Sequence, residues 1–173
     1  QALATIDKYR ARLDPVATFS VVTMNDAGTN GDAVARDGVF SATIPAQAAG
    51  TMIAFYVQAA DASLPSANAK FPNDAPTGEC LVRVGEAQPT GNFPVYRLWM
   101  TQVTQNTWAS RAELNNAPLE VTFVLGDERV IYNAQALYAG SPYIAPGYSS
   151  PIAGRCGYSV SLPKDDLFLG DKD

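Results

Sequence analysis

No histidine occurs anywhere in the 173 residues of this chain. That absence excludes every Ser-His-Asp or Cys-His nucleophile, any histidine general base and the usual zinc and iron sites. The two cysteines, Cys80 and Cys156, are too few for a thiolate zinc site. Charge is scarce as well: 17% of residues are charged, with 12 basic against 17 acidic side chains and a net charge of −5. The basic residues form no cluster, so nucleic acid is not an expected partner. Apolar runs are short. The longest, Met52 to Val57, is strand-sized, far below the roughly 18 residues that a membrane-spanning helix needs.

What is present can fold. Hydrophobic residues make up 47% of the chain, enough to bury a core. The first residue is Gln1 rather than Met, so the chain reads as a processed product or a piece of something longer. Low charge with abundant Thr, Ser, Asn, Gly and Pro suits a secreted or cell-surface protein, with a protein or cell-surface partner. In that setting Cys80 and Cys156 either pair or remain two buried thiols, and their spacing does not decide between these. A bridge would close a loop of about 75 residues and stabilise the fold by roughly 4 kcal/mol in the chain-entropy model.

The pattern predicts β-structure nearly throughout. Val16–Met24 is rich in β-branched residues and runs into the turn signal Asn25-Asp26-Ala27-Gly28. Val39–Ile44 alternates until Pro45, and Thr51–Ala59 is apolar on both faces, as a central strand would be. The proline-rich stretch 61–78 reads as a long loop, followed by a strand at Cys80–Val84. Gly85–Asn92 has no periodicity and marks a boundary. Beyond it, Val95–Val103 reads as a strand and Thr107–Leu114 as a short helix capped by Asn106 or Thr107. Leu119–Leu125 and Arg129–Leu137 flank Gly126-Asp127, a Gly-X hairpin signal. Tyr158–Leu162 is a last alternating run, after a loop-like stretch over 138–157. The expected architecture is mainly β: an Ig-like or fibronectin-III-like sandwich over 1–86, a linker over 87–92, and a second β-rich segment over 93–173 with one short helix.

The most specific local pattern is Asp26–Asp37, DAGTNGDAVARD. Oxygen-bearing side chains fall at loop positions 1 (Asp26), 5 (Asn30), 7 (Asp32) and 12 (Asp37), with Gly31 at position 6. This spacing resembles an EF-hand loop, in which a tightly curled backbone turns oxygens toward calcium. Gly28 stands where a carboxylate or amide is usual, and Asp37 replaces the bidentate Glu. The alternative is an Asx-rich loop whose carboxylates cap backbone N–H groups. The acidic tail, with Asp165, Asp166, Asp171 and Asp173, reads as a solvated chain end. The aromatics Tyr96, Trp99, Trp108, Phe123, Tyr132, Tyr138, Tyr143, Tyr148 and Tyr158 follow strand periodicity and are expected in the core rather than on a sugar platform.

A longer pattern runs from Tyr96-Arg97-Leu98-Trp99-Met100 through Val121-Thr122-Phe123-Val124, Val130-Ile131-Tyr132-Asn133-Ala134 and Tyr138-Ala139-Gly140-Ser141-Pro142-Tyr143 to Leu162-Pro163-Lys164-Asp165-Asp166-Leu167-Phe168-Leu169-Gly170. It resembles the start of a spore-coat CotH kinase-like domain of large secreted bacterial proteins. The D-x-G-x-x-G-D-x-x-x-x-D-G signature at Asp26 to Gly38 looks like the Ig-like module that precedes such domains. The resemblance implies an atypical protein kinase that holds ATP and a divalent metal, magnesium, with Gly140 and Ser141 as the positions near the nucleotide. Leu137 stands where many members carry Arg, and Arg155-Cys156 where a Lys-Lys pair is usual. The catalytic and metal-binding acids of the family lie further along than Asp173. The expectation for this stretch is therefore a noncatalytic extracellular module serving as spacer, adhesion or assembly surface. The alternative is a fragment of an ATP-dependent kinase.

Overall fold

The structure is a computed structural model that describes residues 3–12, 18–87, 95–112, 115–139 and 157–170. It is mainly β, with two antiparallel sheets and one short helix. The chain divides into two compact units, Gln1–Glu86 and Ala87–Asp173.

The first unit holds β1 (Leu3–Arg12), β2 (Ser20–Thr23), β3 (Met52–Ala60), β4 (Asn68–Phe71) and β5 (Cys80–Arg83). β3 is the central strand. β1 pairs along its whole length on one side, from Leu3↔Ala60 to Arg12↔Met52. On the other side β5 takes the first half of β3, Met52 to Phe55, and β4 the second half, Val57 to Ala60. β2 lies outside β1. Ile53, Ala54 and Tyr56, from both faces of β3, are buried, as are Cys80 and Leu81. These pairings make one sheet, so the two facing sheets of a sandwich are not found among the described residues of this unit.

Four elements differ from the sequence expectation. β1 was not foreseen, because LATIDKYRAR has charged residues scattered through it and no clean alternation. β4 lies inside the stretch read as loop: NAKF is exposed at every residue and is a strand by edge pairing alone. Val39–Ile44 forms no strand, and its one ladder contact is an isolated Asn25↔Ser41 bridge among the described residues. The stretch Val16–Met24 shortens to Ser20–Thr23, its first two residues lying outside those described.

The second unit is a meander of β6 (Tyr96–Trp99), β7 (Leu119–Leu125), β8 (Arg129–Ala139) and β9 (Gly157–Ser161), with α1 (Gln102–Ser110) between β6 and β7. The helix starts five residues before the expected Thr107 because Thr101 caps it: its side chain accepts from the Thr104 N–H at 3.1 Å. The preceding strand accordingly ends at Trp99 rather than Val103. At the β7–β8 turn Gly126 has φ +51, the left-handed value that the first central position of a Gly-X hairpin turn demands, and Glu128 N–H closes onto Leu125 C=O at 3.0 Å. Trp108, Val121, Ala134, Ala136 and Tyr138 form the core, with Leu98, Met100, Phe123 and Val160 packed against it. Trp99 and Trp108 are buried, as expected. Tyr96 and Tyr158 are not core residues: they remain 55% and 38% exposed and, with Leu98, Met100, Gln105 and Phe123, line an apolar cleft of about 470 Å³.

Candidate metal centre

The loop from Asn25 to Ser41 is shaped by its own side chains. Asn25 ties the first turn to the far end, donating from Nδ2 to Thr29 C=O at 3.1 Å and to Ser41 C=O at 3.4 Å, while its Oδ1 accepts from Ala27 N–H at 3.1 Å. Two backbone bonds of 2.9 Å between Asn25 and Ser41 close the loop base. A reversal at Asn30 (φ +53) and Gly31 (φ +95) folds the middle back. Gly31 is required twice over: a Cβ there would lie 2.8 Å from Thr43 Oγ1, and its φ lies in the left-handed region.

This curl gathers Asp26, Asp32 and Asp37, which present carboxylate oxygens all within 4.8 Å of one another. Each carboxylate is also held by the backbone. Asp26 accepts from Asp37 N–H and Gly38 N–H, both at 3.1 Å. Asp32 accepts from Gly28 N–H at 2.6 Å, and Asp37 from Val39 N–H at 2.8 Å. Asp32 is buried at 8% exposure, Asp26 is half-buried and Asp37 is exposed. The capping foreseen as the alternative reading is therefore present, and it does not use up the oxygens. An ionised carboxylate offers about four acceptor sites, of which these three use one or two each. The triad can hold a metal ion.

The spacing thus brought together Asp26, Asp32 and Asp37. Asn30 sits at the exposed turn between them, and its backbone carbonyl accepts from Thr43 Oγ1 at 3.4 Å. Unlike an EF-hand, the loop is flanked by extended chain and a β-bridge. The turn signal Asn25-Asp26-Ala27-Gly28 assigns Asn25 no role of its own. An Asn directly before the first loop carboxylate is the mark that it clamps the loop. Gly140, Ser141 and Cys156 lie outside the described residues, so the structure bears neither on the nucleotide positions nor on a Cys80–Cys156 bridge; Cys80 itself is fully buried. In the tail, Asp166 pairs with Arg129. Among the described residues no helix is long and apolar enough to cross a membrane.

No family model, curated protein or solved structure matches the chain.

Proposed function

We propose that the chain is a noncatalytic extracellular β-module of a CotH-like secreted protein, and that a calcium ion closes its Asp26–Asp37 loop. The observation that carries the cation is the convergence of Asp26, Asp32 and Asp37 within 4.8 Å on a curled backbone. Hard carboxylate oxygens suit a hard cation, and a flexible, all-oxygen loop suits calcium better than magnesium, which demands near-octahedral geometry. With three acids and a glycine at the third ligand position, the site is weak and of the extracellular kind, about 10⁻⁴ to 10⁻³ M. The ion offsets two of three adjacent negative charges and stiffens a spacer or adhesion surface that works where millimolar calcium is available. The same polar side chains shape the loop, which accords with a structural rather than a bond-breaking role.

The test is a melting curve in millimolar calcium against EDTA. Calcium at about 10 mM lies ten- to a hundredfold above this Kd and stabilises the fold by about 1.4–2.7 kcal/mol, and Asp32→Ala abolishes the difference. Equal melting in calcium and EDTA would reduce the loop to a side-chain-capped turn. Saturable, magnesium-dependent nucleotide binding would overturn the noncatalytic part.

A further inference from the structure

The same loop contains both of the chain's steps most prone to succinimide chemistry. Asn30-Gly31 is its single Asn-Gly step and Asp37-Gly38 its single Asp-Gly step. In such steps the backbone nitrogen of the following residue attacks the side-chain carbonyl carbon, and glycine has no side chain to obstruct the approach. The structure holds the two steps differently. At Asp37-Gly38 the attacking nitrogen is engaged, since Gly38 N–H donates to Asp26 Oδ2 at 3.1 Å. The target is engaged too, since Asp37 Oδ1 accepts from Val39 N–H at 2.8 Å. At Asn30-Gly31 neither the Gly31 N–H nor the Asn30 side chain has a hydrogen-bond partner among the described residues, and both residues are exposed.

We propose that Asn30 is a site of spontaneous deamidation in the folded protein, whereas Asp37 is shielded from the parallel isomerisation. The Gly31 nitrogen gives up its proton and bonds to Asn30 Cγ. The Cγ–Nδ2 bond breaks, and the side-chain nitrogen leaves with that proton as ammonia. Water then opens the ring at either carbonyl, giving aspartate or isoaspartate. Water is the only co-reactant, and nothing is oxidised or reduced. The aspartate product adds a fourth carboxylate to the loop that carries Asp26, Asp32 and Asp37, and cation sites of this type gain affinity with ligand charge. That consequence rests on the calcium reading; the deamidation does not.

The experiment incubates the folded protein at mildly alkaline pH in EDTA, with a parallel sample in urea, and maps the tryptic peptides by mass spectrometry. Cleavage after Arg36 separates the two steps. Asn30 converts before any other asparagine of the folded protein, as an aspartate and isoaspartate pair, and Asp37 isomerises severalfold faster in urea than in the folded state. Asn30 left intact while another asparagine converts, or Asp37 isomerising equally fast in both samples, overturns the proposal. For the added ligand, Asn30→Asp lowers the calcium concentration at which melting shifts by severalfold; an unchanged midpoint overturns that consequence. Should calcium shift neither protein, the calcium reading fails while the peptide map in EDTA still decides the deamidation.

Discussion

The side-chain amide of Asn116 pairs with both backbone polar groups of Tyr138. Its Nδ2 donates to the Tyr138 carbonyl at 3.0 Å, and its Oδ1 accepts from the Tyr138 N–H at 2.9 Å. On that edge of β8 the last β7 pair is Leu119↔Ala136, so Asn116 continues the ladder with a side chain where the strand has ended. Asn116→Ala removes both part-buried bonds and should cost about 1–3 kcal/mol. Denaturant unfolding measures it, and a loss no larger than that of an exposed surface substitution would contradict the pairing.

Trp108 separates packing from hydrogen bonding. It is fully buried, lies 5.4 Å from the Tyr138 ring and 5.6 Å from the Tyr158 ring, and carries the Arg111 guanidinium 5.4 Å above it. Its indole N–H is buried without an acceptor among the described residues. Trp108→Ala should therefore cost about 3–5 kcal/mol through lost contacts and a cavity. Trp108→Phe should cost well under half of that, since no hydrogen bond is lost. Equal losses for the two variants would contradict this packing account.

At the turn of the metal loop, Gly31→Ala meets two separate obstacles. The left-handed φ of +95 costs roughly 1–3 kcal/mol for a residue with a side chain, and the new Cβ presses on Thr43 Oγ1. Adding Thr43→Ala to Gly31→Ala should recover the steric part and leave the backbone part. Full recovery in chemical denaturation of the double variant would mean that backbone conformation carries no cost there.

Asp61 organises the loop between β3 and β4. Its carboxylate accepts from Ser63 Oγ at 2.7 Å, Ala67 N–H at 2.8 Å and Ser63 N–H at 3.2 Å. These bonds, the Ser63 hydroxyl foremost, favour the ionised form and hold its pKa below the ordinary carboxylate value, against a smaller desolvation effect. A depressed folded pKa means stabilisation that is present above the unfolded value and lost as the pH falls through the folded one. The Ala67 amide resonance should titrate with a midpoint below that of a free aspartate, and Asp61→Asn should remove the titration. A midpoint at or above the free value would refute the assignment.

The sequence was most legible where local chemistry and pairing agree. The β7–β8 hairpin follows from two alternating runs around Gly126, and β3 follows from apolar residues on both faces of Met52–Ala60. The carboxylates of Asp26, Asp32 and Asp37 were legible because a glycine-bearing curl with that spacing has few ways to avoid convergence. β1 and β4 were not legible: each is a strand because β3 supplies a partner, β1 from across the unit and β4 as an exposed edge. The helix start went astray because Thr101 and Thr107 both look like N-caps, and only the end of β6 at Trp99 distinguishes them.

The place of β1 in the first sheet has a consequence for synthesis. Leu3 pairs with Ala60, so β1 meets its inner neighbour only after most of the unit has been translated. β2 can cover one side of it early, but the other side stays an open row of amides and carbonyls until β3 arrives. The second sheet joins strands in chain order and carries no such wait. Slow translation should therefore expose nascent chains of the first unit, and not those of the second, to strand capture by other polypeptides.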